Sequence, residues 1–268
     1  MDRLKGKVAI IIGAGQTPGE AMGNGRATTI RFVQEGASVL AVDRDLASAR
    51  ESLAMIDHPV DGEAFEADVT KSEMVQAAVE TAMGRWNRID ILHYNVGVSV
   101  MGGEQSLDKL TDDVFDYINA VNLRGAIMAA KFVRPIMRKQ RSGVVINVSS
   151  ISAIETFTSL VAYRTSKAGM LAFTQQFAME NAEYGIRANA ILPGYMETSM
   201  AVDSRMRLTG RSREDIVAER NRKVPLRGQG GTGWDVANAA LFLASDEASF
   251  ITGVHLPVDG GSLAKIGW

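Results

Sequence analysis

A doubly wound parallel sheet covered by helices on both faces, a three-layer α/β/α arrangement in one domain over residues 1–268, is predicted by three observations. Short β-branched runs alternate with segments of helical spacing along most of the chain. The runs are apolar on consecutive residues rather than alternate ones, as strands buried on both faces require. The first run also leads directly into a glycine loop that opens a helix, the arrangement that binds phosphates at the edge of such sheets.

The first strand is Val8-Ala9-Ile10-Ile11-Ile12, ended by Gly13. Over 26–35, Ala27, Ile30 and Val33 recur every three residues, which is helical spacing, and Gly36 stops the helix. The alternation continues with a strand at 38–42, a helix at 46–56, a weak strand at 64–67, a helix at 72–86 and a strand at 89–94. Two longer helices are expected at 113–140 and 162–183, separated by a fifth strand at 144–148. A sixth strand at 187–192 closes on Pro193-Gly194. Residues 195–232 break the pattern, carry many arginines and predict helices or a flap over the site. Ligands of such sheets lie at the carboxyl ends of the strands, so those ends hold the candidate residues.

Composition narrows the chemistry. At 46% hydrophobic residues the chain can bury a large core. Lys plus Arg number 29 against 31 Asp plus Glu, so no net field recommends nucleic acid or an anionic membrane as partner. Without cysteine there is no disulfide, thiolate metal site or thiol nucleophile. His58, His93 and His255 have no metal-ligand spacing, and no metal is expected. The charged start and the lack of a membrane-length apolar run lead to the expectation of a soluble, cytoplasmic protein acting on a small molecule.

Gly13 and Gly15 follow the first strand, and Gly23, Asn24 and Gly25 precede the first helix, where glycine lets backbone N–H groups approach a pyrophosphate; a tight turn is the alternative reading. Asp43 ends the second strand, where a carboxylate can accept bonds from both adenosine ribose hydroxyls of NAD and repel the 2′-phosphate of NADP. Arg44 beside it can pair with such a phosphate, and a helix-capping role for Asp43 is also open. Tyr163 and Lys167 lie four apart on one helical face. A cation at about 4 Å is worth roughly 4 kcal/mol at an effective dielectric near 20, about three pKa units. Lys167 and an oxidised nicotinamide can thus bring the phenol toward neutral pH for acid/base work, although an exposed Tyr-x-x-x-Lys pair is common by chance. Ser149 and Ser150 close the fifth strand, where a hydroxyl can bond a substrate oxygen or form a turn. Asn95 and Asn122 alone satisfy backbone groups equally well, and Met128, Met137, Met170 and Met179 read as core.

Together these segments resemble the short-chain dehydrogenase/reductase family, a Rossmann fold, from Lys7 to Gly261. The matching series is the glycine loop with Gly25-Arg26-Ala27, Asp68-Val69, Asn95-Val96-Gly97, Asn122, Asn147-Val148-Ser149-Ser150, Tyr163 with Lys167, Pro193-Gly194 with Thr198, and the terminal Ile251-Thr252-Gly253 and Val258-Asp259-Gly260-Gly261. The resemblance implies Tyr163 as acid/base, with Lys167 on the nicotinamide ribose lowering the Tyr163 pKa. Ser150, thirteen residues before Tyr163, would orient the substrate oxygen, and Asn122 would hold a water that links Lys167 to solvent. It further implies Asp68 and Val69 at the adenine, Asn95 at its ribose with Val96 and Gly97 alongside, and Met196 and Thr198 near the carboxamide and phosphates. The implied activity is NAD-dependent interconversion of a secondary alcohol and a ketone by a homotetramer built through the long helices and the terminal strand. An NADP-linked 3-oxoacyl-type ketoreductase and a non-catalytic dinucleotide sensor are the alternatives.

Two departures stand out. Gly13 and Gly23 are ten apart, six more than the family's spacing, and the extra residues with Pro18 are expected to form a lip over the cofactor. Tyr94 stands before Asn95 where the family often has another Asn. The substrate pocket should involve 98–103, 151–158 and the flap. Ile151, Ile154, Phe157, Tyr195 and Met196 suggest an apolar or aromatic substrate; Arg205, Arg207, Arg211 and Arg213 read as solvated surface or as an attractor for an anion.

Overall fold

Seven strands, β1 (Val8–Ile12), β2 (Ser38–Asp43), β3 (Gly62–Glu66), β4 (Ile91–Tyr94), β5 (Gly143–Val148), β6 (Ile186–Pro193) and β7 (His255–Val258), form one sheet. Their order is β3-β2-β1-β4-β5-β6-β7, and every pairing is parallel. This is a computed structural model, describing residues 2–57, 59, 61–156 and 160–265. Successive strand residues face opposite layers, which explains the unbroken apolar runs. Ile10 and Ile12 of β1 enter one core, with residues of helices α3 (Ser72–Trp86), α5 (Gly125–Gln140) and α6 (Val161–Asn181). Ala9 and Ile11 enter the other, with residues of α1 (Asn24–Gln34), α2 (Leu46–Ala54) and α9 (Gly233–Ala244).

The expected strands and helices are present, with adjustments that have local causes. The strand expected from residue 89 starts at Ile91, because the Gln140 side chain takes both the N–H and the carbonyl of Ile89 (3.0 and 2.8 Å). The expected helix 113–140 is not uniform: α4 (Asp112–Asn119) passes through a π-turn at Ala120–Arg124 before α5. Its first turn is capped by Thr111, whose hydroxyl accepts from the Val114 N–H. Within 195–232 lie α7 (Asp203–Thr209) and α8 (Arg213–Asn221). Helix α9 was not foreseen, although Thr232 and Asp235 form a reciprocal capping box that marks its start. No described helix is long and apolar enough to cross a membrane.

Candidate active site

The carboxyl ends of β1, β2, β4, β5 and β6 gather most of the residues singled out above. Gly13 turns the chain out of β1 with φ +85° and leaves room for Val96, to which a Cβ would come within 3.0 Å. A Cβ on Gly25 would overlap the Gly13 carbonyl, so the start of α1 lies directly on the β1 turn. Asn95 braces the same turn, donating from Nδ2 to the Gly13 carbonyl (3.2 Å). Gly23 caps α1 without any side-chain capping bond, and the buried Asn24 Oδ1 has no protein partner. The uncapped helix N-terminus fits a pyrophosphate, whose oxygens accept from the free N–H groups.

Asp43 holds this loop from the side. Its Oδ2 accepts from the Gly15 N–H (2.9 Å) and its Oδ1 from the Asp45 N–H (3.1 Å). Arg44 is exposed. At the end of β3, Asp68 accepts from the N–H and hydroxyl of Thr70 (2.9 and 2.7 Å), and Val69 packs into the core. At the end of β6, Gly194 lets Asp259 approach, while Met196 and Thr198 are both buried, Met196 as part of the core. Met196 therefore contributes little side chain to a pocket.

The extra residues between Gly15 and Gly23 do more than overhang. The Gln16 N–H donates to Ser48 Oγ of α2 (2.9 Å), and the Gln16 side chain accepts from the Gly23 N–H (3.0 Å), closing the segment on itself. Its outer end meets the flap. Ser199 Oγ donates to the Ala21 carbonyl (2.7 Å), Arg207 donates to the Pro18 carbonyl (3.2 Å), and any Cβ on Gly19 would overlap the Asp203 carboxylate. The insertion thus joins the glycine loop, α2 and the flap. Between it and α2 lies a cavity of 640 Å³ lined by Gln16, Arg26, Asp45, Ser48 and Glu51, among others. Arg26 is buried there, paired with Glu51 (2.5 Å) and bonded to Ser48 and Ser52.

Tyr163 and Lys167 project from the first turns of α6 on one face, with the Lys167 amine 5.9 Å from the centre of the Tyr163 ring. Lys167 is buried, its Nζ donating to the Val148 carbonyl (2.8 Å) and, more weakly, to that of Val96 (3.4 Å). Burial pulls its pKa down to about 7. A Cβ on Gly97 would come within 3.0 Å of this amine, so Gly97 completes the cradle. Burial pushes the Tyr163 phenol up; a hydrogen bond with Ser150 and the nearby guanidiniums of Arg205 and Arg220 oppose that rise, and Glu104 adds to it. The Lys167 amine bonds to main-chain carbonyls, while Ser150 and the two guanidiniums draw the phenol down. Ser149, the serine not chosen, donates to the Lys167 carbonyl (2.8 Å) and anchors α6 to β5.

Asn122 occupies the π-turn. Its side chain accepts from the Val98 N–H (2.7 Å) and donates to the Val98 carbonyl (2.9 Å) and to Ser166 Oγ (3.0 Å), tying the loop after β4 to α6. Tyr94 fixes the same turn: its buried hydroxyl donates to the Val121 carbonyl, and a Cβ on Gly125 would overlap that hydroxyl. Glu104 was missed in the sequence. It is buried in the loop after β4, and its carboxylate accepts from the Ala162 N–H (2.6 Å) and the Tyr163 N–H (3.1 Å), capping the helix that carries Tyr163. Nothing local marks it, since its partners lie 58 and 59 residues away.

Of the apolar pocket residues, Ile151 is buried, Ile154 is exposed, and Phe157 and Thr158 lie outside the described residues. Tyr195 donates to Glu155 (2.9 Å), and burial together with that acid pushes its phenol up to about 12. Of the four flap arginines, Arg211 and Arg213 pair with acids, Glu219 and Asp203 (2.7 Å each), and Arg205 and Arg207 donate to the Ala201 and Pro18 carbonyls.

The family described as enoyl-(acyl carrier protein) reductase matches residues 19–262, beginning inside the insertion. The 3-oxoacyl-(acyl-carrier-protein) reductase of Thermotoga maritima is 35% identical over 97% of this chain and 98% of its own. The levodione reductase of Leifsonia aquatica is 32% identical over 98% and 96% of the two chains. A solved short-chain dehydrogenase/reductase structure from Burkholderia xenovorans superposes with a TM-score of 0.93 at 38% identity, covering all of both chains. On sequence, sheet order and site alike, the chain belongs to the short-chain dehydrogenase/reductase family.

Proposed function

We propose that this oxidoreductase interconverts a secondary alcohol and its ketone with NAD, using Tyr163 as the acid/base. The observation that carries this reading is the half-buried Tyr163, its phenol hydrogen-bonded with Ser150 and one helical turn from the buried amine of Lys167. A bound dinucleotide would supply the acceptor for the hydride that leaves the carbinol carbon. Ser150 holds the substrate oxygen, and the ionised phenol of Tyr163 removes its proton. Lys167 bonds the nicotinamide ribose and, with the positive ring beside it, makes ionisation of the phenol easier. Asn122 fixes the loop after β4 against α6, and the carbonyls around it hold a water that returns the proton to solvent.

The glycine loop, from Gly13 to Gly25, takes the pyrophosphate. Asp68, Val69 and Asn95 line the adenosine side, and Val96, Gly97, Pro193, Gly194, Met196 and Thr198 the nicotinamide side. The preference for NAD rests on Asp43, held by the Gly15 and Asp45 N–H groups at the end of β2, where a 2′-phosphate would meet a fixed carboxylate. Residues 195–232 act as a substrate flap within one catalytic domain.

The test is absorbance of reduced nicotinamide with a panel of secondary alcohols and NAD or NADP in parallel. Turnover with NAD is expected. Turnover with NADP alone would overturn the Asp43 argument and favour the ketoreductase alternative. Tyr163→Phe should lower kcat by at least roughly a hundredfold while calorimetry finds NAD binding little changed; near-normal turnover would remove Tyr163 from the mechanism.

A further inference from the structure

Two cations of the flap act on the Tyr163 phenol. Among the described residues, Arg205 of α7 donates to the Ala201 carbonyl alone (2.6 Å) and Arg220 of α8 to the Met196 carbonyl alone (3.0 Å). No described carboxylate lies within ion-pair distance of either. The Arg220 Nε is buried without a partner, and its guanidinium lies 5.3 Å from the centre of the Tyr195 ring. Lys223 lies 5.3 Å from the same ring. The two arginines repel one another, and both act on the Tyr163 and Tyr195 phenols. The acids nearby are otherwise occupied or remote. Glu155 accepts from Tyr195, Glu104 caps α6, Glu219 is paired with Arg211, and Glu197 and Glu219 act on Arg220 without ion-pair contact.

Holding two like charges together at a partly desolvated site is unfavourable unless an anion joins them. The other flap arginines show the contrast, since Arg211 and Arg213 each have an acid. The two arginines whose charge reaches the Tyr163 phenol have no described acid in ion-pair contact.

We propose that the substrate carries an anionic group, held by Arg205 and Arg220 while its carbinol lies against Tyr163 and Ser150. The inference rests on the oxidoreductase reading for the position of the carbinol, but not for the anion site itself. The planar, multidentate guanidiniums suit a carboxylate, a sulfonate or a phosphate. An alcohol of this kind would be an anion-bearing hydroxy compound.

Two measurements test this. With NAD bound, butyrate should raise the melting temperature and butyramide should not, and the shift should vanish in Arg205→Gln and Arg220→Gln. Arg220→Lys, which keeps the charge, should retain part of it and controls for folding. Propylphosphonate in place of butyrate separates a phosphate site from a carboxylate site. In turnover, 3-hydroxybutyrate should exceed its methyl ester in kcat/KM by at least about tenfold, and the two glutamine variants should collapse that ratio. The ratio is the readout because losing a cation also affects the Tyr163 phenol, equally for both substrates. Equal shifts by butyrate and butyramide, or a ratio untouched by the arginine variants, would overturn the proposal. If no alcohol reduces either dinucleotide while butyrate still binds through the arginines, the oxidoreductase reading falls and the anion site stands.

Discussion

At the scale of single residues, Glu104 bears on the proposed acid/base from behind, through the helix that carries it. Its carboxylate closes the N-terminus of α6 and stands behind Tyr163, where its negative charge favours the neutral phenol. Glu104→Gln keeps an acceptor for the N–H groups but removes the charge. The Tyr163 pKa should then fall, and since oxidation needs the ionised phenol, the acidic limb of the kcat profile should move to lower pH; an unmoved limb would reduce Glu104 to a cap. His93, in contrast, serves no chemistry. It is buried in β4 with both ring nitrogens unpartnered, and burial pulls its pKa down to about 3. The unfolded chain binds this proton near pH 6.5 and the folded chain does not, so stability is lost as pH falls from about 6.5 toward 3, by up to about 5 kcal/mol. His93→Leu should flatten that acid loss and raise stability at pH 7 by about 1 kcal/mol, measured by urea titration. Ser150, Tyr163 and Lys167 were legible in the sequence because their spacing along the chain is itself the signal. Glu104 and Arg220 were not, because only the folded loops bring them to the phenol.

At the scale of elements, regular segments were legible and their interruptions were not. The runs forming β1, β2, β5 and β6 declare themselves by apolar content, whereas the π-turn at Ala120–Arg124 follows from a tertiary contact, the Tyr94 hydroxyl on the Val121 carbonyl. Helix α9 escaped because its small and apolar residues carry little periodic contrast, leaving its capping box as the one clear mark. The insertion was visible as a spacing anomaly, and its lip over the cofactor cleft was expected; its attachment to the flap was not. That attachment can be tested at Gly19, where any side chain would displace Asp203. Gly19→Ala should cost about 1–3 kcal/mol of stability by thermal melting and should weaken flap closure, read as faster NAD dissociation in stopped flow. Unchanged dissociation would mean that the contact is only structural.

At the scale of the whole molecule, the parallel strand order brings most candidate residues to the carboxyl end of the sheet, as the alternation of elements predicts. The expected homotetramer belongs here. Phe115 and Tyr117 of α4 and Met179 of α6 are exposed, and so are Phe250 and Val254 just before β7. Light scattering should give about four times the 28.9 kDa chain mass, and Phe250→Asp should reduce it; a monomer with wild-type sequence would sink the expectation. The bond between insertion and flap also has a meaning in time. Ala21 and Ser199 are 178 residues apart, and Pro18 and Arg207 are 189 apart. A nascent chain exposes its glycine loop early, but the cover over that loop cannot close until β6 has joined the sheet and the residues beyond it have emerged. Tight dinucleotide binding should therefore be among the last properties acquired during refolding, lagging behind the secondary structure of the sheet it rests on.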